Sequence, residues 1–413
     1  MRFATAWTLT LPILISGCVI QPAADDADSL GAVLGASLSV LDGGSSAPAV
    51  APGTTVSGGF AGGGEAALTV KHVSGQLAGE LSYEMIPLGA SNAGDEWIVR
   101  PDGRLAVPFV VALFDAEQNL IRRAYVSGNN GLRHVVRVDT PETYLGVMTP
   151  KGQSGGGFAF VASRYSGRSV PAPRRQIVWL NFQGASNLAV HTRAPISFGP
   201  FDATLINSAY AGQTQFMKDT IVAAMRHDYR AYDVTIISSD EAPRPTEPHS
   251  VIHFGGDVSG LLGLSDSVDD YNGDATQNAI IYVESFAPYH TMQLDAAEMA
   301  VMVANVASHE LGHLLGLYHT ADPVDVMDTT GTAWELAQDQ DFARATLEHS
   351  VFATGWEDSP ALLEQIVGLS DASGKTESFA KLRSISTYHL IREFAAEELV
   401  HGCGTCAAID PSN

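Results

Sequence analysis

The sequence predicts two folded units: a small all-β, sandwich-like unit, followed by an α+β unit with a mixed, mostly parallel sheet. Three observations support this prediction. The chain has 413 residues, which is long for a single core. Short β-like runs separated by turn residues fill residues 66–168, and from about residue 175 strands alternate with helices.

The N-terminus, "MRFATAWTLTLPILISGC", combines Arg2, a short apolar run and a small-residue ending. The run is too short to span a bilayer, so residues 1–17 are predicted to be a signal peptide. The ending resembles the lipobox of bacterial lipoproteins, which implies lipidation of Cys18 and a membrane anchor. An ordinary secretory signal with Cys18 beside the cut by chance is the alternative. Either way we expect an exported protein. The lipobox further implies a lipid anchor in the bacterial envelope, at the outer membrane or cell surface, with release into the medium left open.

Residues 18–65 are rich in Ala, Gly, Ser, Asp and Pro without helix or strand periodicity, so we expect a lipidated, flexible tether. Residues 66–168 contain β-like runs such as "RLAVPFVVALFD" and "GFAFVASRY". This segment has no His, Asp or Glu cluster with ligand spacing. It is therefore predicted to be an accessory β domain.

A proline-containing boundary, "SVPAPRRQ", precedes the second unit, which is predicted to span residues 175–368. "QIVWLNFQG" opens it as an apolar strand, a helix ends near Tyr229, and "DVTIISSD" and "HSVIHFGGD" read as further strands. A long helix is predicted from about Leu294 to Leu315. The unit is large enough to bury a core of its own.

Residues 369–413 are predicted to form a helical tail that ends with Cys403 and Cys406. In an exported protein, a disulfide that closes this small loop is the expected state. A redox or metal role for the pair is the alternative.

Net charge also limits the function. The chain carries 46 acidic against 23 basic side chains, a net charge of −23, so phosphate backbones would repel it and nucleic acid is not an expected partner. The sequence gives no indication of oligomeric state.

The segment "HELGHLLGLYH" has the residues of a catalytic metal site. His309 and His313 are four apart, which places both imidazoles on one helical face. Gly316 lets the chain leave the helix sharply and return His319 as a third nitrogen ligand. Three imidazoles leave one open position on a tetrahedral zinc ion, and the carboxylate of Glu310 can serve a water there as general base and acid. A helix with incidental histidines is the alternative, and it would have to accommodate three of them within eleven residues.

HExxHxxGxxH is the signature of the metzincin metallopeptidases, which the chain resembles over about residues 175–368. In that family a methionine follows in a tight turn beneath the metal, and "PVDVMDTTG" supplies Met327; ordinary core filling is the alternative for this residue. The resemblance implies a metzincin-like catalytic domain with an active-site helix, a Met-turn and a closing helix, for which we expect 340–356. It also implies an edge strand that pairs with the substrate, expected at Leu261 to Ser265. Thr329 stands where some subfamilies have a zinc-reaching tyrosine, so a fifth ligand is not expected.

The predicted function is zinc-dependent hydrolysis of peptide bonds in protein or peptide substrates, by attack of a zinc-bound water with Glu310 as general base and acid. One catalytic Zn²⁺ is the expected cofactor. The alternative is a catalytically inactive, protease-derived lipoprotein that serves in surface binding or adhesion.

The loop "SDSVDDYNGD" is a second candidate cation site. Asp270, Asn272 and Asp274 have the alternate spacing of calcium ligands, but Ala275 and Ile281 occupy the places where an EF-hand has glycine and glutamate. A solvated acidic turn is the alternative to calcium binding.

Overall fold

A computed structural model of the protein describes residues 54–55, 68–258 and 260–370. The predicted signal peptide, Cys18 and the C-terminal pair Cys403 and Cys406 lie outside these residues. Within the described ranges, no helix combines the length and apolar character needed to cross a membrane.

Residues 68–165, hereafter the N-terminal unit, contain strands and no helix. With an edge strand from upstream, these strands are β1 (Thr54–Thr55), β2 (Thr69–Gln76), β3 (Tyr83–Ser91), β4 (Glu96–Pro101), β5 (Phe109–Phe114), β6 (Leu120–Val126), β7 (Leu132–Val135), β8 (Thr140–Met148) and β9 (Gly157–Tyr165). They form two antiparallel sheets, in the orders β1-β2-β9-β4-β7 and β3-β8-β5-β6. Strand β1 lies within residues 18–65, the predicted tether. This short part of the tether therefore forms the edge strand of a sheet.

One hydrophobic core lies between the two sheets. Trp97 is fully buried in it, and its indole N–H donates to Ser91 Oγ at 2.9 Å. Phe109 meets Phe158 and Phe160 edge-on, with ring centroids 5.9 and 6.4 Å apart. Edge-to-face aromatic pairs of this kind add to the stability that area burial alone provides.

Residues 176–367, the C-terminal unit, contain the mixed sheet predicted from the sequence. Its strands are β10 (Gln176–Asn181), β11 (Ala185–Leu188), β12 (Ile196–Phe198), β13 (Val234–Ser238), β14 (Ser250–Phe254), β15 (Gly263–Ser265), β16 (Asn278–Ile281), β17 (Arg344–Thr346) and β18 (Trp356–Asp358). The central sheet has the order β13-β10-β14-β16-β15. Its first four strands are parallel, and β15 pairs antiparallel with β16 at one edge.

Helices cover one face of this sheet. They are α1 (Thr214–Asp228), α2 (Ala296–Leu314), α3 (Ala333–Leu336) and α4 (Ser359–Val367), with short 3₁₀ segments at Ala203–Leu205, Ser208–Tyr210 and Val283–Met292. A capping box starts α2: Asp295 accepts from the backbone of Glu298, and the Glu298 carboxylate accepts from the Asp295 N–H. This arrangement satisfies two backbone donors that the first helical turn leaves free.

The prediction of a closing helix at 340–356 is wrong. Arg344–Thr346 and Trp356–Asp358 form a two-stranded antiparallel ribbon, and the last helix of the described chain, α4, begins only at Ser359. The ribbon is held by the N-terminal unit, because Trp356 N donates to Gln118 O at 3.0 Å. Contact with the N-terminal unit therefore favours a ribbon where the resemblance implied a helix.

The two units share a hydrophobic cluster. Strand β5 is buried on both faces, because alternate residues such as Val110 and Phe114 point away from the N-terminal core. They pack with Tyr318, Leu347 and Phe352 of the C-terminal unit. The ring centroids of Phe114 and Phe352 lie 5.0 Å apart. The N-terminal unit therefore packs directly against the segment that follows α2.

Candidate metal centre

Helix α2 carries the first two histidines of the motif. His309 and His313 are buried near its C-terminus, and their ring centroids are 4.7 Å apart. A separation of four residues on a helix produces this proximity. Two of the predicted ligands therefore belong to one rigid element.

The third histidine returns by a turn. Gly316 has φ +101°, which other residues rarely adopt, and its N–H donates to His313 O at 2.9 Å. Leu317 N donates to Gly312 O at 2.9 Å and completes the cap of the helix. His319 then points back, so that its Nε2 lies 3.0 Å from His313 Nε2.

Backbone carbonyls set the tautomers of the two helical ligands. His309 Nδ1 donates to Val326 O at 2.9 Å, and His313 Nδ1 donates to Leu317 O at 2.8 Å. Each Nε2 therefore presents a lone pair, the form in which imidazole binds a metal.

Burial keeps the imidazoles neutral. It lowers the pKa of His309, and burial together with the neighbouring His309 lowers the pKa of His313 to about 3. Burial lowers the pKa of His319 well below its usual value, and His313, His309 and Arg123 lower it further. Neutral imidazoles are the protonation state that metal binding requires.

The donor set fits a catalytic zinc ion. The metal-binding atoms of the three histidines all lie within 4.8 Å of one another, and in the described part of the chain this is the one group of three or more His, Cys, Asp or Glu residues with such proximity. Converging lone pairs in a buried site repel each other unless a cation or a proton lies between them. Three nitrogen ligands leave a fourth zinc position open.

Glu310 lies beside this cluster with no counter-charge. Its side chain is 4% exposed, and Oε2 has no hydrogen-bond partner among the described residues. Burial raises the pKa of Glu310 to about 8. A carboxylate with a raised pKa can both accept and return a proton near neutral pH. Gly263 makes room for it, since a Cβ there would lie 2.5 Å from Glu310 Oε1.

Met327 packs against α2 between the two helical histidines. It is fully buried, and a Cβ on Gly312, between the two helical ligands, would lie 2.4 Å from its sulfur. The turn that carries it is tied to the ligand segment, because Thr320 N donates to Met327 O at 2.9 Å. Val326, the preceding residue, supplies the carbonyl that orients His309.

Strand β15 borders the cleft, within the range predicted for the substrate-pairing edge strand. Next to it lies a cavity of about 30 Å³, bounded by Glu310, His309 and His319. Its other walls are mostly apolar, from Leu261, Leu262, Val306, Val326 and Leu336, with Asn305 and Asp328 as polar members. An open sheet edge and a shallow apolar pocket thus lie beside the candidate catalytic carboxylate.

The predicted calcium ligands have separate partners. Asp270 forms an ion pair with Arg122 of β6, and Asn272 donates to Gln176 Oε1 at 2.9 Å. Asp274 Oδ1 accepts from the backbone and hydroxyl of Thr276, so it serves as a local turn cap. These contacts give no support to a calcium site.

Sequence reasoning missed the carboxylate that holds the turn between α2 and His319. Glu357 is completely buried, and its two oxygens accept from Tyr318 N at 2.9 Å each. Burial raises its pKa well above the usual value. It lies in "GWEDSP", which is far from the histidine motif along the chain. No local sequence pattern distinguishes it as a functional residue.

Comparison with known proteins bears on the same region. Residues 180–343 match the sequence profile of the Matrixin family, a range that includes the three histidines, Glu310 and Met327. No protein of curated function matches the chain. Among solved structures, the chain is similar to an archaemetzincin from Methanopyrus kandleri, with 14% identity, a TM-score of 0.25, and coverage of 43% of this chain and 93% of that one.

Two further solved structures are similar to the chain. One is PliG of Aeromonas hydrophila, a periplasmic inhibitor of g-type lysozyme, with 14% identity, a TM-score of 0.19, and coverage of 26% of this chain and 90% of that one. The other is the pre-peptidase C-terminal domain of a collagenase from Bacillus anthracis, with 16% identity, a TM-score of 0.17, and coverage of 22% and 86%.

Proposed function

We propose that this protein is a zinc-dependent endopeptidase acting on protein or peptide substrates, because residues 180–343 match the Matrixin family and bring three histidines together. One observation carries the proposal: three buried, neutral imidazoles converge next to a buried carboxylate that has no counter-charge of its own. A structural zinc site would have four protein ligands and no need of a free carboxylate.

Each residue has a task that suits its chemistry. His309, His313 and His319 would hold the zinc ion through Nε2. When bound, zinc would polarise the scissile carbonyl and lower the pKa of a water molecule. Glu310 accepts a proton from the attacking water and returns it to the leaving amine.

The cleft next to these residues suits an extended peptide. The outer edge of β15 offers backbone donors and acceptors to which a substrate strand can be added. The shallow apolar pocket beside Glu310 can receive one small apolar side chain. These two features support cleavage within a chain, because neither one requires a free terminus.

The experiment is a Glu310→Ala substitution, assayed on a mixed peptide library with the cleavage products read by mass spectrometry. We expect the variant to retain zinc and its fold but to lose cleavage, because the imidazoles remain and the proton acceptor is gone. Glu364→Ala, which removes an exposed glutamate of α4, is the matched control and should cleave normally. Cleavage by Glu310→Ala at the wild-type rate contradicts the assigned role.

The same library tests the alternative function. If the wild-type chain binds zinc but cleaves no peptide, with or without a chelator, the proposal of a peptidase fails. A surface-binding or adhesion lipoprotein derived from a protease would then be the better description.

We further propose that the protein is exported and anchored to the bacterial envelope through a lipid on Cys18. The support is the N-terminal sequence, in which a signal-like apolar run ends in a small-small-Cys pattern. Labelled palmitate should be incorporated into the wild-type chain and not into Cys18→Ala. Labelling of both chains would place the lipid elsewhere, and labelling of neither would leave an ordinary secretory signal.

A further inference from the structure

The third zinc ligand depends on more than the zinc-motif helix. His309 and His313 are fixed by α2, whereas His319 lies at the far side of residues 316–320, which we call the ligand turn. We propose that the N-terminal unit holds the ligand turn in place, so that Arg122 and Arg123 of β6 are positioning residues of the metal centre. The inference rests on the proposed zinc site but does not require peptidase activity.

The ring of Tyr318, the residue before His319, packs against the N-terminal unit. Tyr318 is 6% exposed and belongs to the shared cluster with Val110 and Phe114. The guanidinium carbon of Arg123 lies 5.6 Å from the centroid of the Tyr318 ring. A cation at this distance from an aromatic face is attracted to it, and more strongly when both groups are desolvated.

Arg123 itself is anchored rather than mobile. It is 8% exposed, and its Nε donates to Val351 O at 2.9 Å. Burial lowers the pKa of its guanidinium, while Tyr318 and Glu348 oppose that shift. A buried arginine of this kind is costly to desolvate, and its contacts with the C-terminal unit offset that cost.

A second connection runs through residues 265–274, which we call the acidic loop. The Tyr318 hydroxyl donates to Asp270 Oδ1 at 2.9 Å, and Asp270 is ion-paired with Arg122. The next residue of the loop, Tyr271, donates its hydroxyl to Ile121 O at 3.0 Å. Three consecutive residues of β6 therefore hold this loop and the Tyr318 side chain.

The acidic loop also contacts the start of the ligand turn. A Cβ on Gly316 would lie 2.7 Å from Asp269 O and 2.8 Å from Tyr271 N. Asp269 N also donates to His313 O at 2.9 Å. Loop and turn are thus in van der Waals contact, so that a displacement of the loop is transmitted to the turn.

The backbone of this turn is fixed by the C-terminal unit. Glu357 accepts from Tyr318 N, Thr320 N donates to Met327 O, and Glu348 N donates to His319 O at 3.0 Å. The side chain of Tyr318 contacts both units: its hydroxyl donates to Asp270 of the C-terminal unit, and its ring packs against Arg123 and the shared cluster. Because His319 follows Tyr318 directly, a shifted ring reorients the peptide that carries the ligand. Partners one step removed from a metal typically change its affinity 10- to 100-fold.

The test measures metal binding. Arg122→Gln removes the ion pair with Asp270, and zinc affinity is measured by competition with a chelator, at a temperature well below unfolding. We expect roughly 10-fold weaker zinc binding and an altered visible absorption spectrum of the Co²⁺-substituted protein. Arg122→Lys, which keeps the charge, should recover most of both. Arg133→Gln is the matched control, since it removes an arginine that pairs with Glu96 in the other sheet.

A second variant keeps the test decisive if Arg122→Gln does not fold. Tyr318→Phe retains the buried ring and loses only the hydroxyl that reaches Asp270, and it should also weaken zinc binding and alter the Co²⁺ spectrum. Unchanged affinity and spectrum in a folded Arg122→Gln or Tyr318→Phe protein would overturn the inference. An equal effect of Arg133→Gln would overturn it too, because the loss would then reflect general stability. If the wild-type chain binds zinc but cleaves no peptide, the peptidase proposal is contradicted and the inference about the ligand turn is not.

Discussion

A Gly263→Ala substitution should disable Glu310 without disturbing the zinc ligands. The added Cβ would lie 2.5 Å from Glu310 Oε1 and 2.7 Å from its Cγ, against about 3.4 Å for an ordinary contact. The backbone at Gly263 is not among the positive-φ positions, so alanine fits the strand. The flexible carboxylate should therefore move by about 0.9 Å rather than the strand. Misplacement by about 1 Å can cost roughly 100-fold in rate, equivalent to about 2.7 kcal/mol of transition-state stabilisation.

The assay is kcat on a peptide taken from the library, together with zinc content and the melting temperature. We expect kcat to fall about 100-fold, with zinc content unchanged and only a small change in melting temperature. Gly199→Ala is the control, because a Cβ there meets nothing within 4 Å. Full kcat in Gly263→Ala would show that the position of Glu310 next to β15 is unimportant. Loss of zinc along with kcat would show that the strain reaches the histidines.

Three further outcomes follow from buried groups. Leu336→Ala should enlarge the apolar pocket and shift cleavage toward larger side chains in the peptide library, and an unchanged product pattern would show that this pocket does not receive substrate. Met327→Ala removes a fully buried side chain packed on Gly312. It should lower the free energy of unfolding by about 2–5 kcal/mol, measured by urea titration of the zinc-loaded protein. A smaller loss would mean that neighbouring side chains fill the cavity. Burial lowers the pKa of His253 to about 4, below its value in the unfolded chain, so its contribution to stability is complete above about pH 6.5 and is lost as the pH falls from about 6.5 to 4. His253→Gln should flatten that part of the pH–stability curve by on the order of 3 kcal/mol, and an identical curve for the variant would refute the assignment.

The ligands could be predicted because their geometry is local. His309 and His313 follow from the period of one helix, and Gly316 with His319 follows from how a helix ends. The mixed sheet was also predictable, since apolar strands alternate with helical segments. The expectation of a closing helix at 340–356 came from the resemblance to a family and not from a local pattern, and the contacts of this segment with Gln118 and Asn119 make it a ribbon.

Other parts of the site depend on long-range contacts. Glu357 is buried against Tyr318, 39 residues away in sequence, and Gly263 matters only because Glu310 lies against it. The acidic loop shows the same limitation. Its spacing suggests a cation site, and the cation that Asp270 meets is the side chain of Arg122, from a different unit. A single sequence shows which residues are charged, but not which of them form ion pairs in the fold.

The shared cluster also affects how the chain is made. During synthesis the N-terminal unit emerges first, and one flank of β5 and β8, including Val110, Phe114 and Met148, remains uncovered until Leu347 and Phe352 follow. At about 5–20 residues per second, those partners appear on the order of ten seconds or more later. Until then the nascent chain exposes an apolar surface to its surroundings. A holding chaperone that shields this flank during that interval would raise the yield of the folded protein.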